Sequence, residues 1–343
     1  MFFENVSCLV CGHTLAYLPD QRRMAALEAA EDGVWTAVGE KVSGDYRLCS
    51  NYAVEQVCNW AVPVADDNPQ CESCRLTRVI PNLATAENRE VWYRLEKAKR
   101  RLFYTLHALG LPVSKKLEPN DAGLAFEFLH DQPQGGDASR VLTGHDNGLI
   151  TLNAAEADDV QREQQRVLQH EPYRTLIGHF RHEIGHYYWD RLIANGPRLQ
   201  EFRNLFGDEQ VDYSGSLQRH YQNGPPPQWE ASFISGYASA HPWEDWAETW
   251  AHFLHMVDAL ETAGSAGLTI VPRRADEPQL TSPVNPIKEE HPEFERMLEA
   301  WIPLAYVMNN LSRGLGLPDS YPFVLSPTVI GKLRFVHATV FGR

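Results

Sequence analysis

The sequence predicts an α+β protein in two parts: a small cysteine-rich module over residues 1–80, and a mainly helical domain with a small sheet over residues 81–343, a C-terminal extension included. Three observations predict it. All six cysteines, Cys8, Cys11, Cys49, Cys58, Cys71 and Cys74, fall at or before position 74. From residue 88 onward, apolar residues recur mostly at the three- and four-residue spacing that lines one side of a helix. Only two short stretches, "LAFEFLH" and "GLITLN", alternate as strands do. The 343 residues, 43% of them hydrophobic, suffice for a large core or for two domains.

The pairs "CLVCG" and "CESC" have the turn-sized CxxC spacing that brings two thiolates onto one zinc ion, and Cys49 and Cys58 supply two further donors. A structural zinc module is therefore expected at the N-terminus. Disulfides would need an oxidising compartment, and "MFFENVSCLVCGHTLAYLPD" lacks the basic stretch and apolar run of a secretory leader. No run of 18 apolar residues suits a membrane span. Those features lead us to expect a cytoplasmic protein. Thirty-one basic against 45 acidic residues give a formal charge of −14, so there is no general electrostatic case for nucleic acid or an anionic membrane.

After the module, Asn88 is placed to cap a helix carrying Val91, Trp92, Leu95, Leu102, Phe103, Leu106 and Leu109 before Gly110 and Pro112 stop it. The two strand-like stretches then form a hairpin or sheet edge. A helix is expected from about Glu156 to Gln169, and another after Pro172. That second helix carries "RHEIGHYYWDRL" and packs through Ile177, Phe180, Ile184 and Tyr188. Further on, a loop containing Tyr237 leads into a helix starting near Pro242. Residues 261–290, rich in Gly, Pro and charge, read as a long excursion. A helix over "HPEFERMLEAWIPLAYVMNNLSRGLG" follows, then two apolar or extended pieces in "YPFVLSPTVIGKLRFVHATVF".

His182 and His186 are four residues apart, so on a helix both imidazoles reach one metal ion, with Glu183 beside them. The five-residue pattern alone is common by chance, and the site needs a third ligand. The arrangement HExxHxxGxxH is ruled out, because Trp189 and Leu192 stand where it has glycine and histidine. "HPWEDWAETWAHFLH" instead offers Glu244 and Glu248 on one helical face, with Asp245 on another. With Glu244 on the metal, Glu248 can accept a hydrogen bond from the outer nitrogen of a ligating histidine. Two histidines and one glutamate leave a fourth position for water, as hydrolytic zinc sites do. Asp208 and Asp212 read as turn or capping residues rather than ligands.

The combination of "HEIGHYYWDRL", "LFGDEQVDY" and "YASAHPWEDWAETW" with "LCSNYAVEQVCNWAVP" resembles the bacterial zinc-binding metallopeptidases that carry an N-terminal zinc ribbon, over roughly residues 1 to 260. "YASAHPWEDWAE" also resembles the tyrosine-to-glutamate segment of the anthrax lethal factor protease. The resemblance implies a zincin-like domain with one catalytic and one structural Zn2+. It implies Glu244 as the third ligand, Glu248 behind a histidine, and Tyr237 near the substrate oxyanion. Zinc-dependent peptide-bond hydrolysis is then expected, with Glu183 activating a zinc-bound water and a peptide or protein as substrate. The alternative is a zinc-containing module that binds protein or nucleic acid without turnover. This chain departs from the family ribbon in starting too close to Cys8 and Cys11 for the Cys pair that precedes them there. The structural site is accordingly expected on Cys49, Cys58, Cys71 and Cys74, with Cys8/Cys11 plus Cys71/Cys74 as the rival set.

Overall fold

The computed structural model describes residues 3–39, 41–131, 141–168, 174–289 and 291–342. The chain folds as two compact units, Met1–Glu163 and Gln164–Arg343. The expected division at residue 80 falls inside the first of them.

The first unit opens with a five-stranded antiparallel meander: β1 (Thr14–Leu18), β2 (Arg23–Ala29), β3 (Trp35–Val38), β4 (Asp45–Leu48) and β5 (Ala61–Pro63), with the short helix α1 (Ser50–Ala53) before β5. The sheet curls until its ends meet, where Tyr17 N donates to Asn59 O at 2.9 Å. Small inward residues, Ala16, Ala25, Ala37 and Ala61, sit beside Leu18, Leu27 and Tyr46 in its core and leave room for that curl. A second sheet has the order β6 (Thr77–Val79), β7 (Ala125–Leu129), β9 (Leu149–Asn153), β8 (Gly144–Asp146). The first two pairings are parallel and β8–β9 is an antiparallel hairpin turned at Asn147 and Gly148, both at positive φ.

Between β6 and β7 runs α2 (Asn88–Ala108), with Trp92, Leu95, Leu102, Phe103 and Leu106 buried along one side. Asn88 does not cap it. It is the first helical residue, and its side chain bonds Asn82 O and His130 instead. The "LAFEFLH" and "GLITLN" segments are parallel neighbours, not the two arms of a hairpin. A parallel pairing depends on long-range partners that neither segment announces.

From α3 (Asp159–Leu168) onward the described chain is helical, apart from an isolated bridge between Ile270 and Leu280. The expected end at Gln169 and the break at Pro172 lie outside the described residues. The second unit contains α4 (Leu176–Leu192), α5 (Leu199–Phe206), α6 (Tyr213–Asn223), α7 (Pro242–Ala266), α8 (Phe294–Gly314) and α9 (Pro327–Phe341). Two sequence expectations fail here. The helix from Pro242 runs five residues past Glu261, into the expected excursion, and the last "extended" piece is α9. Ser326 caps α9 through Val329 N, and Pro327 occupies its first turn, where a missing N–H costs nothing. No described helix is long and apolar enough to cross a membrane.

α7 is the axis of this unit, packing against α4, α5, α8 and α9. Its Trp246, Ala247, Trp250 and Leu254 are fully buried, and Trp250 stacks on Tyr188 of α4 at 5.0 Å between ring centres. The two helices approach closely at Gly185, where an added Cβ would lie 3.0 Å from the Ala247 Cα and 3.2 Å from the Trp250 Cβ. There Trp246 Nε1 also donates to Gly185 O at 2.8 Å. On the far side of α7, buried Asp245 pairs with Lys332 of α9 at 2.5 Å. Gly185→Ala is expected to destabilise the protein by about 1–2 kcal/mol, because an overpacking cost of ~1–3 kcal/mol exceeds the ~1 kcal/mol gain in helix propensity. Urea unfolding of the zinc-loaded protein measures this, and a variant as stable as the parent would show that the helices separate freely.

Candidate metal centres

Cys49 stands at the entry to α1, Cys58 and Cys71 lie in loops flanking β5, and Cys74 begins a 3-10 turn. The structure brings these four together, all buried, with their sulfurs within 4.8 Å of one another. The Cys58 and Cys71 sulfurs are 3.8 Å apart, close to the ~3.8 Å edge of a tetrahedron with ~2.3 Å Zn–S bonds. Backbone amides of Trp60, Cys71 and Cys74 point at the sulfurs of Cys58, Cys49 and Cys71 from 3.3 to 3.5 Å. Cys8 and Cys11 lie outside this group. Cys8 is half-buried and Cys11 exposed, its sulfur 3.1 Å from His13 Nδ1. The rival set of Cys8/Cys11 with Cys71/Cys74 is therefore not what the fold assembles.

Burial pushes the Cys71 thiol well above its ordinary range, as do its hydrogen bonds with Cys49, Cys58 and Cys74. Four thiols crowded away from water cannot ionise together without a cation, and a dication fits that requirement. Arg100 adds charge of the right sign. Burial works against its protonation, but Cys58, Cys74 and Glu96 outweigh burial and hold the guanidinium charged. Beside them Lys99 and Glu96 form a fully buried pair at 3.0 Å.

The second centre lies where α4 meets the first turn of α7. Thr175 caps α4 by accepting from Gly178 N, and the helix holds His182 and His186 with their Nε2 atoms 3.1 Å apart. His241 and Pro242 start α7, which places Glu244 in its first turn. Glu244 Oε2 lies 2.9 Å from His182 Nε2 and 3.6 Å from His186 Nε2. These separations bracket the ~3.3 Å edge of a tetrahedron with bonds of ~2.0–2.1 Å. Oε2 is buried and accepts no hydrogen bond. A buried carboxylate oxygen facing two imidazole nitrogens suits a zinc ion, and among the described residues no fourth metal-binding side chain joins the group.

The outer nitrogen of His182 is fixed too: Nδ1 lies 2.7 Å from Glu248 Oε1, and Glu248 Oε2 accepts from Ser235 Oγ at 2.6 Å. Burial opposes ionisation of Glu248, yet the hydrogen bond and charge of His182 hold it at about 2. Glu183 is buried next to the histidines, and burial raises its carboxyl above the usual range against the pull of His182 and His186. The Tyr237 ring is centred 5.8 Å from that of His182, and burial followed by the Glu244 charge keeps its phenol protonated. Trp243 covers His186 at 4.4 Å between ring centres.

Asp208 and Asp212 take the turn and capping roles their sequence suggests, and three further histidines have partners of their own. Asp208 accepts from Gln210 N in a turn, and Asp212 caps α6 through Gly215 N. His241 accepts from Trp243 N, His252 bonds the Tyr321 hydroxyl, and His255 meets Arg181. Sequence reasoning missed Ser235 and Tyr213. The Tyr213 hydroxyl donates to Glu244 Oε1 at 2.6 Å. Its signal was the helical run Tyr213, Leu217, His220 and Tyr221, an aromatic face just behind a capping Asp212.

A half-barrel module with a buried four-cysteine site and a helical unit holding His182, His186 and Glu244 together define a zinc-dependent peptidase with one structural and one catalytic Zn2+. The chain belongs to the family described as "Putative zinc-binding metallo-peptidase", which matches residues 88–339, and residues 1–85 match a zinc-ribbon domain. Uncharacterized proteins of Mycobacterium tuberculosis strains H37Rv and CDC 1551 and of Mycobacterium bovis are each 44% identical to it over 339 residues, 98% of this chain and 91% of theirs. No solved structure matches the chain.

Elemental analysis is expected to find two zinc ions per chain, with Cys71→Ser losing one and Glu244→Ala the other. Glu248→Ala should retain both under excess metal while binding the histidine-held ion about 10–100-fold more weakly. Full retention of both ions in Glu244→Ala would remove Glu244 from the ligand set.

Proposed function

We propose that the chain cleaves peptide bonds at the centre formed by His182, His186 and Glu244, in a zincin-like arrangement, with Glu183 as the proton carrier and Tyr237 as the oxyanion donor. The observation that carries this reading is the convergence of three ligand atoms on one point, with a buried glutamate one residue from a ligand. Zinc bound there supplies a Lewis acid at the scissile carbonyl and lowers the pKa of water. Glu183 accepts the proton of the attacking water and returns it to the amine that leaves. Burial raises that carboxyl above the usual carboxylate range, in the direction a group that must both accept and return a proton needs. The Tyr237 phenol, kept protonated, donates to the carbonyl oxygen as that oxygen gains charge. Glu248 and Ser235 keep the His182 ring in the tautomer that turns Nε2 inward.

The seven-residue step from Tyr237 to Glu244, with its likeness to the anthrax lethal factor protease, supports the assignment of the phenol. The four-cysteine module keeps a structural part in the same proposal, and a peptide or protein is the substrate.

Glu183→Gln keeps the size of the side chain and one carbonyl acceptor but carries no proton. It is expected to bind zinc normally and to lose nearly all turnover on a mixed peptide library read by mass spectrometry. Tyr237→Phe should lower kcat about 10²–10³-fold with zinc retained, the loss typical of removing one oxyanion donor. A zinc-loaded Glu183→Gln as active as the parent would eliminate the proton-transfer role.

A further inference from the structure

We infer that Tyr213 is a positioning residue of the catalytic metal centre, its hydroxyl holding Glu244 so that one carboxylate oxygen alone faces the two histidines. This rests on the reading of His182, His186 and Glu244 as ligands. The two oxygens of Glu244 are used differently: Oε1 accepts from the Tyr213 hydroxyl at 2.6 Å, while Oε2 lies 2.9 Å from His182 Nε2 and accepts nothing. A free carboxylate can present both oxygens to a metal. A phenol bound to Oε1 occupies that oxygen and fixes the plane of the group, so the carboxylate binds through Oε2 only and does not spread into the position that water and substrate need.

The chain delivers this hydroxyl by a second, independent tie. His241, which caps the start of α7, lies 3.1 Å through Nε2 from Val211 O, two residues before Tyr213, and through Nδ1 accepts from Trp243 N. The Tyr213 ring sits edge-on to His241 at 5.1 Å and to Trp243 at 5.8 Å between ring centres. The start of α6 and the residues just before it are thus pinned to the same turn of α7 that bears the ligand, through the His241 ring on Val211 O, two ring contacts and the phenol. α6 also packs on the turn that carries Tyr237, with the His220 ring 5.7 Å from that of Tyr237, and Ser216 is its one buried residue.

Tyr213→Phe preserves the ring and removes one hydroxyl, and circular dichroism with thermal melting checks that the variant is folded. Competition against a chromophoric zinc chelator is expected to show the histidine-held ion bound about 10–100-fold more weakly, with the cysteine-held ion unchanged as an internal reference. In the cobalt-substituted protein, the visible bands of the His/Glu centre should lose intensity and shift as Glu244 turns to offer both oxygens and the coordination number rises. Tyr306→Phe, which removes an exposed phenol on α8 bonded to Glu277, should change neither reading. In a Glu244→Ala background the Tyr213→Phe substitution should have no further effect, because the hydroxyl acts through that carboxylate. Unchanged zinc affinity and cobalt spectrum in folded Tyr213→Phe, with Glu244→Ala weakened, would overturn the inference while leaving the ligand reading intact. Unweakened zinc binding in Glu244→Ala would overturn the ligand reading itself.

Discussion

The catalytic half of this protein depends on one close approach. At Gly185 two helices come together with only a hydrogen atom between one backbone and the next, and that contact sets the distance from the imidazoles of α4 to the carboxylates of α7. Helix pairs normally pack 8–10 Å apart, with the spacing decided by the side chains between them. Here the spacing must let His182 meet Glu244 with one nitrogen and Glu248 with the other. Glycine one residue before His186 brings the helices near enough, and Trp246 closes the gap with a hydrogen bond to the same glycine. Cost and function are coupled: glycine, after proline the residue least favourable to a helix, stands in the middle of the helix that carries both histidines.

The same economy of charge runs through both metal centres. Each gathers groups that would repel or stay protonated if left alone, and each surrounds them with fixed partners. At the cysteines the partners are backbone amides and buried Arg100. At the histidines they are Glu248, Ser235 and Tyr213. Once the direct ligands are known, such partners decide how firmly a metal is held and in what geometry. They also spread the sites over the sequence: the catalytic centre draws on α4, α6, α7 and the turn before α7.

Much of this was legible in the sequence, and the boundary of legibility is physical. His182, Glu183 and His186 follow from helical spacing, and Glu244 and Glu248 from the same spacing on a second helix, because i to i+4 geometry is local. The segregation of the cysteines marked the N-terminal module for a similar reason. What escaped was set by partners far away. The parallel pairing of β7 with β9 cannot be read from either strand. Tyr213 reaches a carboxylate 31 residues on, and the aromatic helix face to which it belongs does not say which partner it meets. The sequence leaves α9 open as an apolar or extended piece, because Val, Ile and Phe crowd "VIGKLRFVHATVF" and only burial against the helical unit overrides strand preference. Ser326 and Pro327 mark its start.

The buried pair of Asp245 and Lys332 has a consequence in time. The two residues are 87 positions apart, and the aspartate adjoins the ligand Glu244. As a ribosome makes the chain, α4 and the first turn of α7 emerge well before the lysine does. During that interval Asp245 has no cation beside it, and a helix that carries it cannot settle into an apolar interior at ordinary cost. In the folded chain burial raises that carboxyl to about 7 even though Lys332 pulls it down, so without the lysine it holds its proton more tightly still. The turn that bears Glu244 is therefore left unanchored on one side until the segment around residue 332 has been synthesised.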